Sequence, residues 1–276
     1  MLPLFSVGPF TVYFFGLMIA IGALAGYLLL IQEAKRRNMD HDTLSNGIFY
    51  SLIGGIVGAR IFYVVVYNPA YYLANPMDVF FIHNGGLSIH GGILGGLLVG
   101  YLFLKKHNFP VLHTLDLAAP ALILAQGISR IGCDVFGGPI STSLPWGIDR
   151  AGEILHPAQA YEFLLDFLLF GYLWLKLKKR DYTGQIFLHY LIGYMIIRAV
   201  VEFSRINPMV IGPFSVSHVM SLIGVVIGLL LIRYRKARGK INEQQKIQPK
   251  DWMITVGSVA MLIIAALSIY FGVRAL

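Results

Sequence analysis

Eight runs of near-bilayer length, uncharged or nearly so, constrain this chain more than any other feature: 10–31, 44–67, 87–104, 114–132, 158–175, 184–204, 214–232 and 252–273. A helix needs about 20 predominantly apolar residues to cross the hydrocarbon core of a membrane. Within that core every backbone N–H and C=O must find its partner inside the protein, which favours uninterrupted helices. The runs take up most of the 276 residues and leave no room for a separate soluble domain. The expected fold is all-α, a polytopic membrane helical bundle of about eight transmembrane helices. Residues 1–9 carry neither a basic stretch nor a small-residue cleavage site, so the first run reads as a retained span and not as a signal peptide.

Charge then orients the spans. The segments after spans one, three, five and seven hold Lys35, Arg36 and Arg37; Lys105 and Lys106; Lys176, Lys178, Lys179 and Arg180; and Arg233, Arg235, Lys236, Arg238, Lys240, Lys246 and Lys250. These are 16 of the 22 basic residues, all on one side. The positive-inside rule makes that side cytoplasmic and puts both termini and the 68–86, 133–157 and 205–213 loops outside. The net charge of +8 is thus mostly a topology signal and implies no nucleic-acid partner. The single Cys133 excludes an internal disulfide and a zinc site built on paired cysteines. No metal or nucleotide motif is present, so no cofactor is called for.

Four cations remain once the loops, Arg150 and the helix-ending Arg274 are set aside. Arg60, Arg130 and Arg198 each lie in the outer third of a span, with Arg205 just beyond, and His90 opens span three at the same depth. Charge inside a membrane is costly and marks a partner or a ligand, here an anion. Tyr194, Arg198, Glu202 and Arg205 follow steps of four, four and three, which puts them on one helical stripe. A structural Arg198–Glu202 pair is the plain reading, but two arginines against one carboxylate leave a positive excess. Arg130 reads either as a headgroup-snorkelling residue or as a phosphate ligand. His90, within Gly85-Gly86-Leu87-Ser88-Ile89-His90-Gly91-Gly92, is the histidine assigned to the arginine level, as proton acceptor or hydrogen-bond donor; His156 and His218 are set aside. Glu162 and Asp166 form either a proton relay or arginine partners, and charge balance favours pairing. Glycine pairs such as Gly22/Gly26, Gly54/Gly58, Gly91/Gly95 and Gly224/Gly228 read as helix-packing devices.

Several motifs together resemble one family. GGLSIHGG at 85–92, SRIGCDVFG at 129–137, LPWGI at 144–148, HPAQAYE at 156–162, GYMIIRAVVEFSR at 193–205 and GARIFYVVVYN at 58–68 resemble prolipoprotein diacylglyceryl transferase over roughly residues 10–235. The resemblance implies seven family-like spans plus one extra C-terminal span. It divides the chain into a polytopic catalytic membrane domain at 1–240, and a cytoplasmic linker with an additional transmembrane helix at 241–276. It implies transfer of the diacylglyceryl group from phosphatidylglycerol to the lipobox cysteine thiol of prolipoproteins, with release of glycerol phosphate.

On the same basis His90, Arg130 and Arg198 are the catalytic residues. Arg130, Arg198, Arg60 and Arg205 hold phosphatidylglycerol, supported by Tyr194, Glu202, Gly91 and Gly92. The implied partners are phosphatidylglycerol, signal peptides with a lipobox cysteine and membrane lipids, in the bacterial cytoplasmic (inner) membrane with the active site near the outer leaflet. The sequence departs from the family pattern at Phe15, Ser129, Cys133 and His218, and in the short stretch from Cys133 to Pro145. The alternative is an anion transporter or lipid-binding membrane scaffold, though the ionisable residues stop in the outer half.

Overall fold

The computed structural model describes residues 2–8, 10–81, 85–140, 144–150, 152–238 and 247–275. Lys240, Lys246 and the 241–246 part of the expected linker lie outside them. The helices among the described residues are α1 (Phe14–Arg36), α2 (His41–Val66), a short α3 (Pro69–Ala74), α4 (Ile89–Lys106), α5 (Val111–Ile131), α6 (Ala158–Lys176), α7 (Gln185–Glu202), α8 (Val216–Arg238) and α9 (Pro249–Ala275). The eight long ones stand where the eight apolar runs predict them.

Six of these, α1, α2, α5, α7, α8 and α9, are long and apolar enough to cross a membrane, and the protein is a multi-pass membrane protein. The other two long helices are more polar for reasons that bear on function. α4 has 18 residues that include His90, a set of glycines and a closing Lys105-Lys106. α6 carries Gln159, Glu162 and Asp166, all buried, so its polar groups face protein instead of lipid.

Three short antiparallel hairpins accompany the helices, and the helix-length reading of the sequence did not anticipate them. They are β1 (Pro3–Val7) with β2 (Phe10–Tyr13), β3 (Ile148–Arg150) with β4 (Glu153–Leu155), and β5 (Met209–Ile211) with β6 (Phe214–Ser215). The β3–β4 hairpin falls in a loop that the charge pattern assigns to the outer side, and the other two straddle its edge, with β2 and β6 taking up the first residues of the first and seventh apolar runs. The loop after α5 joins the second hairpin and the end of α7, since Gly137 N donates to His156 O and Gly138 N to Ser204 O, both at 2.8 Å.

The chain divides into two compact units, Met1–Leu30 with Leu115–Leu276, and Ile31–Thr114. In the smaller unit α2 and α4 cross with their backbones nearly touching. A Cβ added at Gly58 would lie 2.5 Å from Gly91 O, and one at Gly95 would overlap Gly54 O. Between helices in lipid, where no hydrophobic effect drives association, such close approach supplies the van der Waals attraction. Asp40 caps α2, its carboxylate accepting the Asp42 and Thr43 N–H groups at 3.1 Å each.

In the larger unit α6 is the buried centre: Phe163, Phe167 and Leu173 are fully buried, and the helix packs against α7 and α9. α8 lies on α7, where Gly224 and Gly228 receive Met195 and Ile192. The first part of α1 lies on α5 through Gly22 and Gly26. Asp116 of α5, fully buried, caps the start of α7 from another helix. It accepts from Gly184 N at 2.7 Å, Ile186 N at 2.8 Å and Phe187 N at 3.1 Å, and pairs with Arg180 at 3.2 Å. Arg180, counted among the orienting cations, is therefore also an internal fastener, only 2% exposed.

Candidate functional site

Three helices of the larger unit bring their charged residues to one place. Arg130 stands in the last turn of α5, where a cation meets the negative end of the helix dipole. Glu162 comes from the buried face of α6, and Arg198 and Glu202 from the end of α7. The two oxygens of Glu162 are shared between the arginines: Arg130 Nη2 lies 3.0 Å from Oε1 and Arg198 Nη1 lies 3.4 Å from Oε2. Arg198 Nη2 also reaches Glu202 Oε2 at 3.4 Å.

Glu202 is fixed in turn through its other oxygen. Asn207 Nδ2 donates to it at 2.7 Å and Ser215 Oγ at 2.6 Å, and Ser215 N donates to His218 Nδ1 at 3.1 Å. The β5–β6 hairpin thereby serves to deliver a buried hydroxyl to Glu202.

Of the stripe read from the sixth span, Tyr194, Arg198 and Glu202 lie on α7, and Arg205 follows in the turn past its end. Tyr194 lies within electrostatic reach of Glu162, Arg130 and Arg198. Its ring stacks on Tyr190 at 6.2 Å, and the Tyr190 hydroxyl donates to Gln126 at 3.1 Å. The Arg205 backbone N–H donates to Glu202 O at 3.0 Å, while its guanidinium makes no ion pair or hydrogen bond among the described residues. Burial, and then the Arg198 charge, hold its guanidinium below the ordinary arginine range. An added anion would relieve that repulsion.

Two parts of the sequence reading change here. The set of charges is larger than two arginines and one carboxylate, because Arg130 and Glu162 join it together and leave the excess at one; the expectation that Glu162 pairs with arginines is met. His218, set aside as distant from any glycine-rich turn, touches the residue that anchors Glu202. Its place three residues beyond Ser215 in the first turn of α8 was the available signal. Asp166 is fully buried one turn along α6 from Glu162, and neither of its carboxylate oxygens has a hydrogen-bond partner among the described residues.

Exposure decides what the cluster can do. The Glu162 side chain is fully buried, whereas those of Arg130 and Arg198 are 28% and 20% exposed. The carboxylate therefore holds the guanidinium groups from the buried side, and both arginine side chains keep part of their surface exposed. Two guanidinium forks on separate helices, already held at a spacing that one carboxylate bridges, suit the oxygens of a phosphate.

The remaining residues read from sequence lie in the smaller unit. His90 is exposed in the first turn of α4, its ring 6.2 Å from that of Phe62. The preceding Ser88 is buried and its N–H donates to Ala59 O at 3.0 Å. The two glycines after His90 differ. At Gly91 a Cβ would overlap Gly58 O and the Phe62 side chain, while at Gly92 it would meet Ala59 Cβ at an ordinary 3.6 Å.

Arg60 is not arranged as an anion ligand. Its Nε donates to Val79 O at 2.8 Å, Nη1 to Gly85 O and Gly86 O at 2.8 and 2.9 Å, and Nη2 to Asp78 O and Phe81 O at 2.5 and 3.4 Å. The Tyr72 ring covers it at 5.2 Å. Every guanidinium N–H is thus engaged by backbone, and the side chain is a clamp on the loop that leads into His90. In sequence a lone arginine in the outer third of a span looks the same in either role.

The model of the prolipoprotein diacylglyceryl transferase family matches residues 3–234. The chain is 36% identical over 242 residues to a phosphatidylglycerol–prolipoprotein diacylglyceryl transferase of Clostridioides difficile (strain 630), covering 86% of this chain and 96% of that protein. It is 35% identical over 263 residues to the protein of the same name from Staphylococcus haemolyticus (strain JCSC1435), covering 90% and 93%. With that of Halalkalibacterium halodurans the identity is 33% over 254 residues, covering 87% and 88%.

Proposed function

The chain belongs to the prolipoprotein diacylglyceryl transferase family, and from that premise we propose how its arginine–carboxylate cluster carries out the transfer. The enzyme moves the diacylglyceryl group of phosphatidylglycerol to the lipobox cysteine thiol of a prolipoprotein signal peptide. The thiolate attacks the glycerol carbon that bears the phosphate, a carbon–sulfur bond forms, the carbon–oxygen bond breaks, and glycerol phosphate departs with the electron pair. No electrons are exchanged with a third party, so the balance needs no cofactor.

Negative charge grows on the departing phosphate, and pre-placed guanidinium groups lower the barrier where it grows. Arg130 and Arg198 take that role and Arg205 adds to the field; Glu162 and Glu202 hold the two arginines in place. Tyr194 lines the same face. The thiol must lose its proton to become nucleophilic, and His90, exposed at the mouth of α4, is the acceptor. Gly91 gives α4 its close seat on α2, and Gly92, next along the same turn, faces Ala59 and Gly55 of α2. Arg60 shapes the loop before His90 and is not a ligand.

The substrates lie in the same membrane as the enzyme, which supplies proximity. The location is the bacterial cytoplasmic (inner) membrane with the site near the outer leaflet, as the charge pattern of the loops supports, and nucleic acid has no part. The observation that carries this reading is the sharing of one buried carboxylate between two partly exposed arginines of different helices.

The test is to incubate the purified protein with phosphatidylglycerol and a lipobox peptide and to measure the peptide's mass. A diacylglyceryl increment is expected, falling by about 100-fold or more in Arg130→Ala and Arg198→Ala while both variants still insert in the membrane. Unmodified peptide from the wild type, or wild-type rates in either variant, overturns the assignment. Saturable anion uptake into proteoliposomes without peptide modification replaces it with transport.

A further inference from the structure

The family match ends at residue 234 and α9 begins at Pro249, so this helix has no place in the reading above. Its sequence suggests a plain apolar span closed by Arg274. The structure gives that arginine a defined task.

α5 ends at Ile131, and as at any helix end its last carbonyls lack helical partners. Arg274 Nη1 donates to Ile131 O at 3.3 Å, and Nη2 to Cys133 O at 2.8 Å and to Asp134 Oδ1 at 3.4 Å. The guanidinium is itself held: it stacks on Tyr270 at 3.8 Å, Nη1 reaches Tyr270 O at 3.0 Å, and the side chain is only 8% exposed. α9 is seated on α6, with Tyr270 against Phe163 at 5.6 Å and Val259 in the space above Gly171.

The turn that Arg274 caps is the one that carries Arg130. Cys133 N donates to Arg130 O at 3.2 Å, and Arg130 Nη1 lies 3.7 Å from Cys133 Sγ. Gln159 Nε2 of α6 also donates to Cys133 O at 3.1 Å. Two helices therefore grip one carbonyl, and a cation at the C-terminal end of α5 is favoured by the helix dipole as well.

We propose that Arg274 is a positioning residue: α9 supplies the C-cap of α5 and so fixes the Arg130 guanidinium in the site. This rests on the role assigned to Arg130 above. A displacement of a charged group by about 1 Å is enough to cost a large factor in rate.

The experiment uses the full chain in detergent or nanodiscs with three variants: Arg274→Met, Arg274→Lys, and Val259→Ala as a control that loosens the α9–α6 seam away from the turn. Two readouts are taken on each, kcat for peptide modification and the rate at which iodoacetamide alkylates Cys133 in the folded protein. Cys133 is the chain's single cysteine and is buried, which makes the second readout specific to this turn.

Arg274→Met is expected to lower kcat about tenfold and to speed Cys133 alkylation by a similar factor, with Arg274→Lys recovering part of both. Val259→Ala lowers thermal stability and leaves both readouts near wild type. Wild-type kcat in Arg274→Met overturns the proposal, as does unchanged alkylation, or an equal kcat loss in Val259→Ala. If the wild type modifies no peptide, the transfer reading fails. The alkylation rates then still show whether Arg274 holds the turn.

Discussion

Replacing Glu162 by Gln keeps the shape of the side chain and removes the charge that Arg130 and Arg198 share at 3.0 and 3.4 Å. Removing one partner of a buried pair costs about 3–5 kcal/mol, because the other charge is left without compensation. Both arginine side chains keep contact with the open side, at 28% and 20% exposure, and screening there reduces the loss to about 2–3 kcal/mol. For a chain of this size that corresponds to an apparent Tm lower by about 4–12 °C. The assay is a fluorogenic maleimide on Cys133, which is buried in the folded protein and reports its unfolding. Millimolar phosphate is expected to restore more of the Tm of Glu162→Gln than of wild type, since the variant leaves Arg130 without a carboxylate partner and Arg198 with Glu202 alone. An unchanged Tm together with wild-type turnover refutes the reasoning, because the arginines would then draw neither their energy nor their position from Glu162.

Other expectations follow from single contacts. Gly91→Ala forces a methyl into Gly58 O and Phe62 and is expected to cost about 1–3 kcal/mol by overpacking, whereas Gly92→Ala, with 3.6 Å of room, leaves the Tm near wild type. Arg60→Lys loses the planar fork that holds the carbonyls of Asp78, Val79, Phe81, Gly85 and Gly86. Hydrogen exchange at those residues rises while KM for phosphatidylglycerol stays within about twofold, and a KM increase of about tenfold would make it a phosphate ligand after all. The bond from the Thr43 hydroxyl, and then the Thr43 amide, hold the Asp40 carboxyl below its ordinary 3.8. A lowered folded-state value means that its capping contribution is present above pH 3.8 and is lost as pH falls through the lowered value. Exchange at the first amides of α2 in Asp40→Ala therefore exceeds wild type at neutral pH and converges with it only in acid.

The sequence reading succeeded where one physical rule acts alone. Helix positions follow from apolar run length, and the Gly54/Gly58 and Gly91/Gly95 steps, read as packing devices without a partner assigned, do stand at a close helix crossing, that of α2 with α4. It was weaker where a side chain's role depends on what another segment offers. Arg60 and Arg130 have the same sequence environment, an arginine in the outer third of an apolar span. The first is consumed by carbonyls of a loop some twenty residues later, and the second faces a carboxylate from another helix. Arg274 looked like a helix end because its partners, Ile131 and Cys133, lie about 140 residues earlier in the chain. The hairpins escaped notice because strands of two to five residues leave no periodicity to detect.

Glu162 also bears on how the cycle ends. Arg130, Arg198 and Arg205 against Glu162 and Glu202 give this belt of residues one positive charge in excess. The phosphodiester of phosphatidylglycerol carries a single negative charge, so the substrate is matched and held without excess attraction. The leaving glycerol phosphate is a monoester with a charge of about −1.5 to −2 near pH 7, and the gain during bond breaking is what the arginines stabilise. Removing the Glu162 charge raises the excess to two, which matches the product better than the substrate. One further unit charge at about 4 Å is worth up to about 4 kcal/mol near a protein surface, and partial exposure reduces this to about 1–2 kcal/mol. Glycerol phosphate should therefore inhibit Glu162→Gln about tenfold more tightly than wild type, with product release becoming the slow step and a burst in the first turnover. Equal inhibition of the two proteins would mean that Glu162 orients the arginines without balancing their charge.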